Sequence, residues 1–385
     1  MTINRWRWTV VAAASVLLVL VGVVLYVTLR TDSADPPAVA QPGTPMSASP
    51  TPTGTLAYAY TSSSGLVINR KDGESVKVPG DFSTGPIFWT GTGDFVVALS
   101  LSTTDDGFLT IVDVRTGAFR RVECGCSSAA PAGGDRVAYL DDETDEPLVI
   151  DVAAGDETQP FDVTLPDGRR VTQVMAGGGD SVLVRTQLIP AGQDTPEYSS
   201  PDMLYAVKLG DPTPRKVSEN HFIVGSSAVG GSGPDGSARF VVTVSDDDGR
   251  CVSFTYWLWN GSTGTTVSLP KFVQSAPGEQ AWMTVSDWWW NQDGALHASL
   301  TSHRCTDEND DEFTAPPTLW RLDGDRWTQV DQVVADAVRP IGAGTRLLLR
   351  QGGETNEHDL YIETGGNAEL SVQQVYDVAV APARP

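Results

Sequence analysis

Carboxylates dominate the residues that could do chemistry, and they come in runs. The densest are Asp141-Asp142-Glu143-Thr144-Asp145-Glu146 and Asp307-Glu308-Asn309-Asp310-Asp311-Glu312. Shorter ones are Asp105-Asp106, Asp246-Asp247-Asp248, the stretch holding Asp194, Glu197 and Asp202, and Glu354 to Asp359. Two carboxylates flanking a substrate can act as general acid and base, as in glycoside cleavage, and clustered oxygens can hold Ca²⁺. With so many candidates no single pair stands out, and no run shows the spaced Asp-x-Asp-x-Asp-Gly loop with a distal Glu. Three readings stay open: solvation of the surface, recognition of a basic partner, and Ca²⁺ binding. Asp141, Asp142, Glu143, Asp307, Glu308, Asp310 and Asp311 are the candidate binding carboxylates.

Other reactive side chains are sparse. His221, His297, His303 and His358 fall in no paired metal-binding spacing, and no nucleophile elbow, P-loop or dinucleotide fingerprint is present. Gly177-Gly178-Gly179 precedes an apolar run and reads as a turn, not a phosphate cradle. No resident metal and no cofactor is expected. Trp282, Trp288, Trp289 and Trp290 form an aromatic cluster. Strand alternation puts Trp288 and Trp290 on one side and Trp289 on the other. Trp288 and Trp290 are candidate stacking platforms for a glycan or peptide, and packing of large rings is the competing reading.

The whole chain has 385 residues, 26 basic against 49 acidic, for a net charge of −23. That balance argues against nucleic acid and anionic lipid surfaces as partners, because both are polyanions. The 40% hydrophobic content is enough to bury a core. Only five of the basic residues are Lys, which hints at a GC-rich, actinobacterial genome.

The elements that position these groups are strands. From residue 55 onward, runs of Val, Ile, Leu and aromatics recur between Gly, Asp and Pro breakers. One recurring unit is a Gly-containing turn followed by an apolar strand, as in GDFVVALSL (93–101), GDRVAYLDD (134–142) and GTRLLLRQ (344–351). Another is a strand ending in a tight turn, as in FLTIVDVRTG (108–117) and DLYIETGG (359–366). The two alternate at intervals that leave room for four strands, which predicts propeller blades with strands a to d from the axis outward. Seven such pairs predict a seven-bladed, all-β propeller over residues 55–385. The orphan strand VYDVAVA (375–381) is expected to close the ring inside the first blade. The acidic runs then fall in the b–c connections and share one rim.

This frame also places the cysteines. Cys251 and Cys305 fall at the b–c ends of neighbouring blades, so a bridge between them is plausible, and it could contribute about 4 kcal/mol on a loop-entropy argument. Cys124-Gly125-Cys126 could close a small ring, whereas a four-Cys zinc site would need distant blades to meet.

Before the strands, residues 8–29 carry no charge, long enough as a helix to cross a bilayer. Arg5 and Arg7 precede them, which predicts a cytoplasmic N-terminus (1–7), a signal anchor and an extracytoplasmic C-terminal domain. A cleaved signal peptide ending at Ala38-Val39-Ala40 is the competing reading. Residues 30–54 hold six Pro among Ser, Thr and Ala and read as an extended linker.

The turn before strand b, best seen in Gly233-Pro234-Asp235-Gly236-Ser237 and again in Asn291-Gln292-Asp293-Gly294, resembles the repeat of TolB-like (WD40-like) propellers. The resemblance implies a propeller that binds other proteins or supports a partner domain. The expectation is thus a membrane-tethered propeller that binds a cell-envelope partner, a basic protein or peptide. The alternative is a carboxylate-dependent hydrolase or lyase, with or without calcium.

Overall fold

The computed structural model describes residues 41–42, 44–46 and 56–382, except 83–84, 101–106, 156, 167, 190–201, 219–224, 234–235, 247–252, 271–279, 292, 306–311, 332 and 353–356. Every helix-or-strand element among them is a strand. This corrects the expected architecture of a propeller preceded by a membrane helix. Among the described residues no helix is long and apolar enough to cross a membrane, and residues 8–29 lie outside them. The single-pass location inferred from that helix is withdrawn with it.

The strands form six hydrogen-bonded sheets. We name five by their spans: 87–123, 126–160, 169–216, 225–267 and 280–331. Within each span the chain forms an antiparallel meander of four strands whose order in space is their order in sequence, and the 87–123 sheet carries a short fifth strand at its outer edge. The sixth, the terminal sheet, has eight strands and joins the start of the domain to its end. The expected closure is met: the C-terminal strand pairs with the opening strands, and this merges the first and last meanders into one hydrogen-bonded sheet. The strand Asn367–Val380 belongs to two meanders at once. Its first part pairs with His358–Thr364, and from Val375 onward it pairs with Tyr58–Ser62. Gln374, at φ 58°, makes the bend between them.

Residues that the sequence suggested as linker take part at the rim. Gln41–Pro42 pairs with the outer strand of the 87–123 sheet, and Thr44–Met46 with the outer strand of the terminal sheet's opening half. Proline is tolerated in such positions because an edge strand can do without one N–H.

The sheets stand in a ring. Their inner strands touch in succession, from Ile87–Trp89 through Cys126–Pro131, Arg169–Gly178, Gly225–Ser232, Gln280–Trp290 and Ala337–Gly342 to Asn367–Val380, which touches the first again. The core is divided accordingly, with an apolar cluster at each junction. Leu99, Ile111, Val137 and Ile150 fill the junction of the 87–123 and 126–160 sheets. Leu183, Leu204, Phe240 and Trp259 fill that of the 169–216 and 225–267 sheets. A strand with a neighbour on each face buries consecutive residues, so Val96, Val97, Ala98 and Leu99 are all buried. That explains the unbroken apolar runs in place of strict alternation.

Glycine sets how closely the inner strands approach. A Cβ on Gly177 would overlap the carbonyl of Pro131, and one on Gly230 would overlap the carbonyl of Gly177. Three successive inner strands are thus in backbone contact at the end nearest the a–b turns.

Candidate functional site

The acidic hairpin of the 126–160 sheet is the acidic run of the expected carboxylate rim that lies wholly within the described residues. Asp141 ends strand Arg136–Asp141, Glu146 begins strand Glu146–Asp151, and the two are cross-strand partners. Between them the chain turns through Asp142, Glu143, Thr144 and Asp145. Asp141 Oδ1 accepts the N–H groups of Glu143 (2.9 Å) and Thr144 (3.2 Å), a side-chain-capped turn of the kind Asp favours. Asp145 takes a left-handed φ of 54° to complete it.

Asp142 is held from both ends. Its N–H donates to the Gly125 carbonyl at 3.0 Å, and its Oδ1 accepts the Ser127 hydroxyl at 2.9 Å. Partial burial pushes its carboxyl pKa up, and the charges of Asp141 and Asp145 add to that, against the hydrogen bond from Ser127. Residues 142–146 are exposed. The hairpin therefore presents closely spaced carboxylates from a fixed backbone.

Other carboxylates are tied to arginines. Asp202, expected in an acidic loop, is buried and ion-paired with Arg185. Arg346 joins Asp331 (2.7 Å) to Glu363 (2.7 Å). Asp307, Glu308, Asp310 and Asp311 lie outside the described residues, as do Asp105, Asp106, Asp194, Glu197, Asp247, Asp248 and Glu354.

Cys124 and Cys126 are bonded to each other. Cys305 closes a strand opposite Gln280, while Cys251 lies outside the described residues.

The Trp rings pack junctions between sheets. Trp288 is buried between the 225–267 and 280–331 sheets, edge-on to Tyr256 at 5.6 Å, with its indole N–H on Thr243 Oγ1 at 3.1 Å. Trp289 faces the opposite junction with Leu319, Val338 and Leu348, and stacks on His297 at 5.5 Å. Trp290 is partly buried, with the Arg239 guanidinium 5.7 Å from its ring. The alternation puts these rings on the two faces as expected, but in a ring of sheets both faces are interior.

Sequence reasoning missed a charged cluster on the inner strands. Arg339 clamps Asp287 with two nitrogens, one of them 3.0 Å from Oδ1. Asp377, on the closing strand, accepts the N–H of Ile87 at 3.3 Å and of Val378 at 2.7 Å. Burial raises the Asp377 pKa, and the neighbouring Asp287 adds to it, while the two N–H groups and Arg339 pull the other way. Burial works against the charge of Arg339, but Asp287 and then Asp377 outweigh it and keep its pKa above the ordinary value. The available signal was a charge in each of three otherwise apolar inner strands, within SDWWW, AVRPIG and VYDVAVA. Each carboxylate oxygen in the cluster accepts a hydrogen bond, so the cluster ties three inner strands together as a seam between sheets. Among the described residues no three His, Cys, Asp or Glu side chains gather as a metal site.

Fold and site together define an all-β, propeller-like protein with an acidic hairpin on the face opposite its tight a–b turns. No family model and no curated protein matches the chain. Among solved structures it is similar to a puromycin hydrolase S511A mutant complexed with PGG, at 14% identity and TM-score 0.49, covering 74% of this chain and 46% of that one. It is also similar to TolB from Acinetobacter baumannii, at 13% identity and TM-score 0.41, covering 85% and 83%. A third is the β-propeller domain of the trilobed protease from Pyrococcus furiosus, at 13% identity and TM-score 0.42, covering 76% and 84%. TolB and propeller domains thus stand among the structural neighbours. The chain spans about half the length of the puromycin hydrolase.

Proposed function

We propose that this protein is a propeller binding module whose acidic hairpin, Asp141–Glu146, receives a basic protein or peptide. The observation that carries the reading is the hairpin itself: exposed carboxylates held in a defined turn by Asp141, Gly125 and Ser127. Solvation alone asks for charge without a fixed backbone. Carboxylate catalysis asks for two acids facing one substrate, and the described inner carboxylates are instead bound to Arg339 or to backbone N–H groups. Opposite charge across an interface speeds encounter and sets register.

The test is titration of an oligolysine peptide into the protein at about 0.05 and 0.5 M salt, spanning strong to weak screening. The reading expects binding that weakens at least tenfold with salt, and a similar loss in a D142N/E143Q/D145N/E146Q variant. Equal binding by the variant would overturn it.

A further inference from the structure

The tripeptide Cys124-Gly125-Cys126 sits where two b–c connections meet. On one side the N–H groups of Cys124 and Gly125 both donate to the Gly107 carbonyl at 3.1 Å. Gly107 belongs to the b–c connection of the 87–123 sheet, and a Cβ there would overlap the Cys126 carbonyl. On the other side, Cys126 is the backbone partner of Asp141, and the Gly125 carbonyl takes the Asp142 N–H. A bulge between Cys126 and Ser128 leaves Ser127 free to reach the Asp142 carboxylate. Gly125 has φ +50°, a left-handed conformation that lets one residue serve both connections, through its N–H on one side and its carbonyl on the other. A disulfide spanning a single residue removes little chain entropy from the unfolded state, so its effect is local.

We propose that the Cys124–Cys126 disulfide is a redox-sensitive clasp that fixes the acidic hairpin, and that a dithiol reductant releases it. This rests on the binding reading for its biological use but not for its chemistry. A thiolate of the dithiol attacks one sulfur and the bond between Cys124 and Cys126 breaks. The second thiol then displaces the mixed disulfide. Two electrons and two protons pass to the cysteines, and the dithiol leaves as its own cyclic disulfide. Both cysteines are at least nine-tenths buried, with Cys124 the more exposed at 7%, so exchange needs a local opening at the junction. Once the ring is open, Gly125 loses the constraint on its left-handed turn, and the anchors on Gly107 and Asp142 loosen together.

The experiment is hydrogen exchange on the full chain, oxidised, treated with dithiothreitol, and as a C124S/C126S variant without reductant. The variant separates this bond from other cysteines. The clasp expects exchange at residues 141–146 to rise at least tenfold in both the reduced and the variant protein, with the 225–267 sheet unchanged. Unchanged exchange at 141–146 in the variant would overturn it, as would a rise spread evenly over all sheets. Oligolysine binding is read on the same samples. Binding that falls severalfold with the local rise supports the clasp and its use together. A local rise with no oligolysine binding in any state supports the clasp and overturns the binding reading alone.

Discussion

Asp135 and Asp142 stand at opposite ends of one strand, Arg136–Asp141, and their carboxylates do different work. Asp135 lies at the a–b turn. Its Oδ1 accepts the hydroxyls of Thr90 (2.9 Å) and Thr92, both on the neighbouring 87–123 sheet. The same face is stitched elsewhere: Gly91 N–H to Gly134 O at 2.8 Å, Gly179 N–H to Ser232 Oγ at 3.0 Å, and Arg239 to Gly294 O at 2.9 Å. Asp142 lies at the b–c end, where its only described hydrogen-bond partners are Gly125 and Ser127 and its neighbours are other acids. The same residue type holds sheets together on one face and is presented to solvent on the other. Burial and partners decide which, not residue type.

The sharpest way to break that contrast is to remove the partner of a carboxylate inside the ring. Arg339→Met leaves Asp287 and Asp377 without their counter-charge; the Arg339 and Asp287 side chains keep 20% and 16% of their surface exposed, so the loss should fall short of a fully buried pair's, at about 2–3 kcal/mol. Urea unfolding at pH 7 measures it. Asp377 adds a sign. Its pKa is raised in the folded state, so the folded protein holds that proton more tightly and gains stability as pH falls toward the ordinary Asp value of 3.8. Mild acid should therefore recover part of the loss in Arg339→Met. A loss below about 1 kcal/mol would mean that the inner carboxylates do not depend on their arginine.

A smaller effect is expected at the turn face. Asp135→Ala removes the nearest acceptor of the fully buried Thr90 and leaves its hydroxyl only the long contact to the Phe95 carbonyl at 3.5 Å and that to Thr92 Oγ1 at 3.4 Å, which should cost about 1–2 kcal/mol. Thr90→Val/Asp135→Ala removes both partners and should cost less than the sum of the single changes. Additive losses would show that the two residues act separately, and the stitching across this junction would lose its support.

Strands were the most legible part of the sequence. Stretches such as FVVALS and RVAYLD, set off by Gly and Asp, read as strands and are strands. Their grouping in fours follows from the spacing of the turns. The pairing of VYDVAVA with the opening strands was legible, but the continuity of one strand through both groups was not, because it depends on Gln374 adopting a left-handed φ between two stretches that pair with different partners. The acidic hairpin could be located, since its residues are contiguous. The Arg339 cluster could not, because Asp287, Arg339 and Asp377 meet only after the ring forms. Nor could the ion pair of Asp202, whose partner Arg185 lies on the preceding strand. The indole rings show a third limit: alternation tells which face a ring takes, but not whether that face meets water or another sheet.

The smallest effect, and the finest test of the contrast, is Asp142→Asn. Asparagine keeps an oxygen to accept the Ser127 hydroxyl and leaves the backbone bond to Gly125 in place. It removes a charge that partial burial and the acids at 141 and 145 disfavour. Because the Asp142 pKa is raised on folding, this group detracts from stability above its folded pKa, and the penalty fades as pH falls through the window down to 3.8. At pH 7 the variant should therefore melt no lower than the parent, with a gain on the order of 1 °C for a mostly exposed site. The difference should vanish below pH 3.8, where Asp142 is protonated in both states. If Asp142→Asn is destabilising at pH 7, this carboxylate binds part of the ring as Asp135 does, and the two ends of the strand are alike.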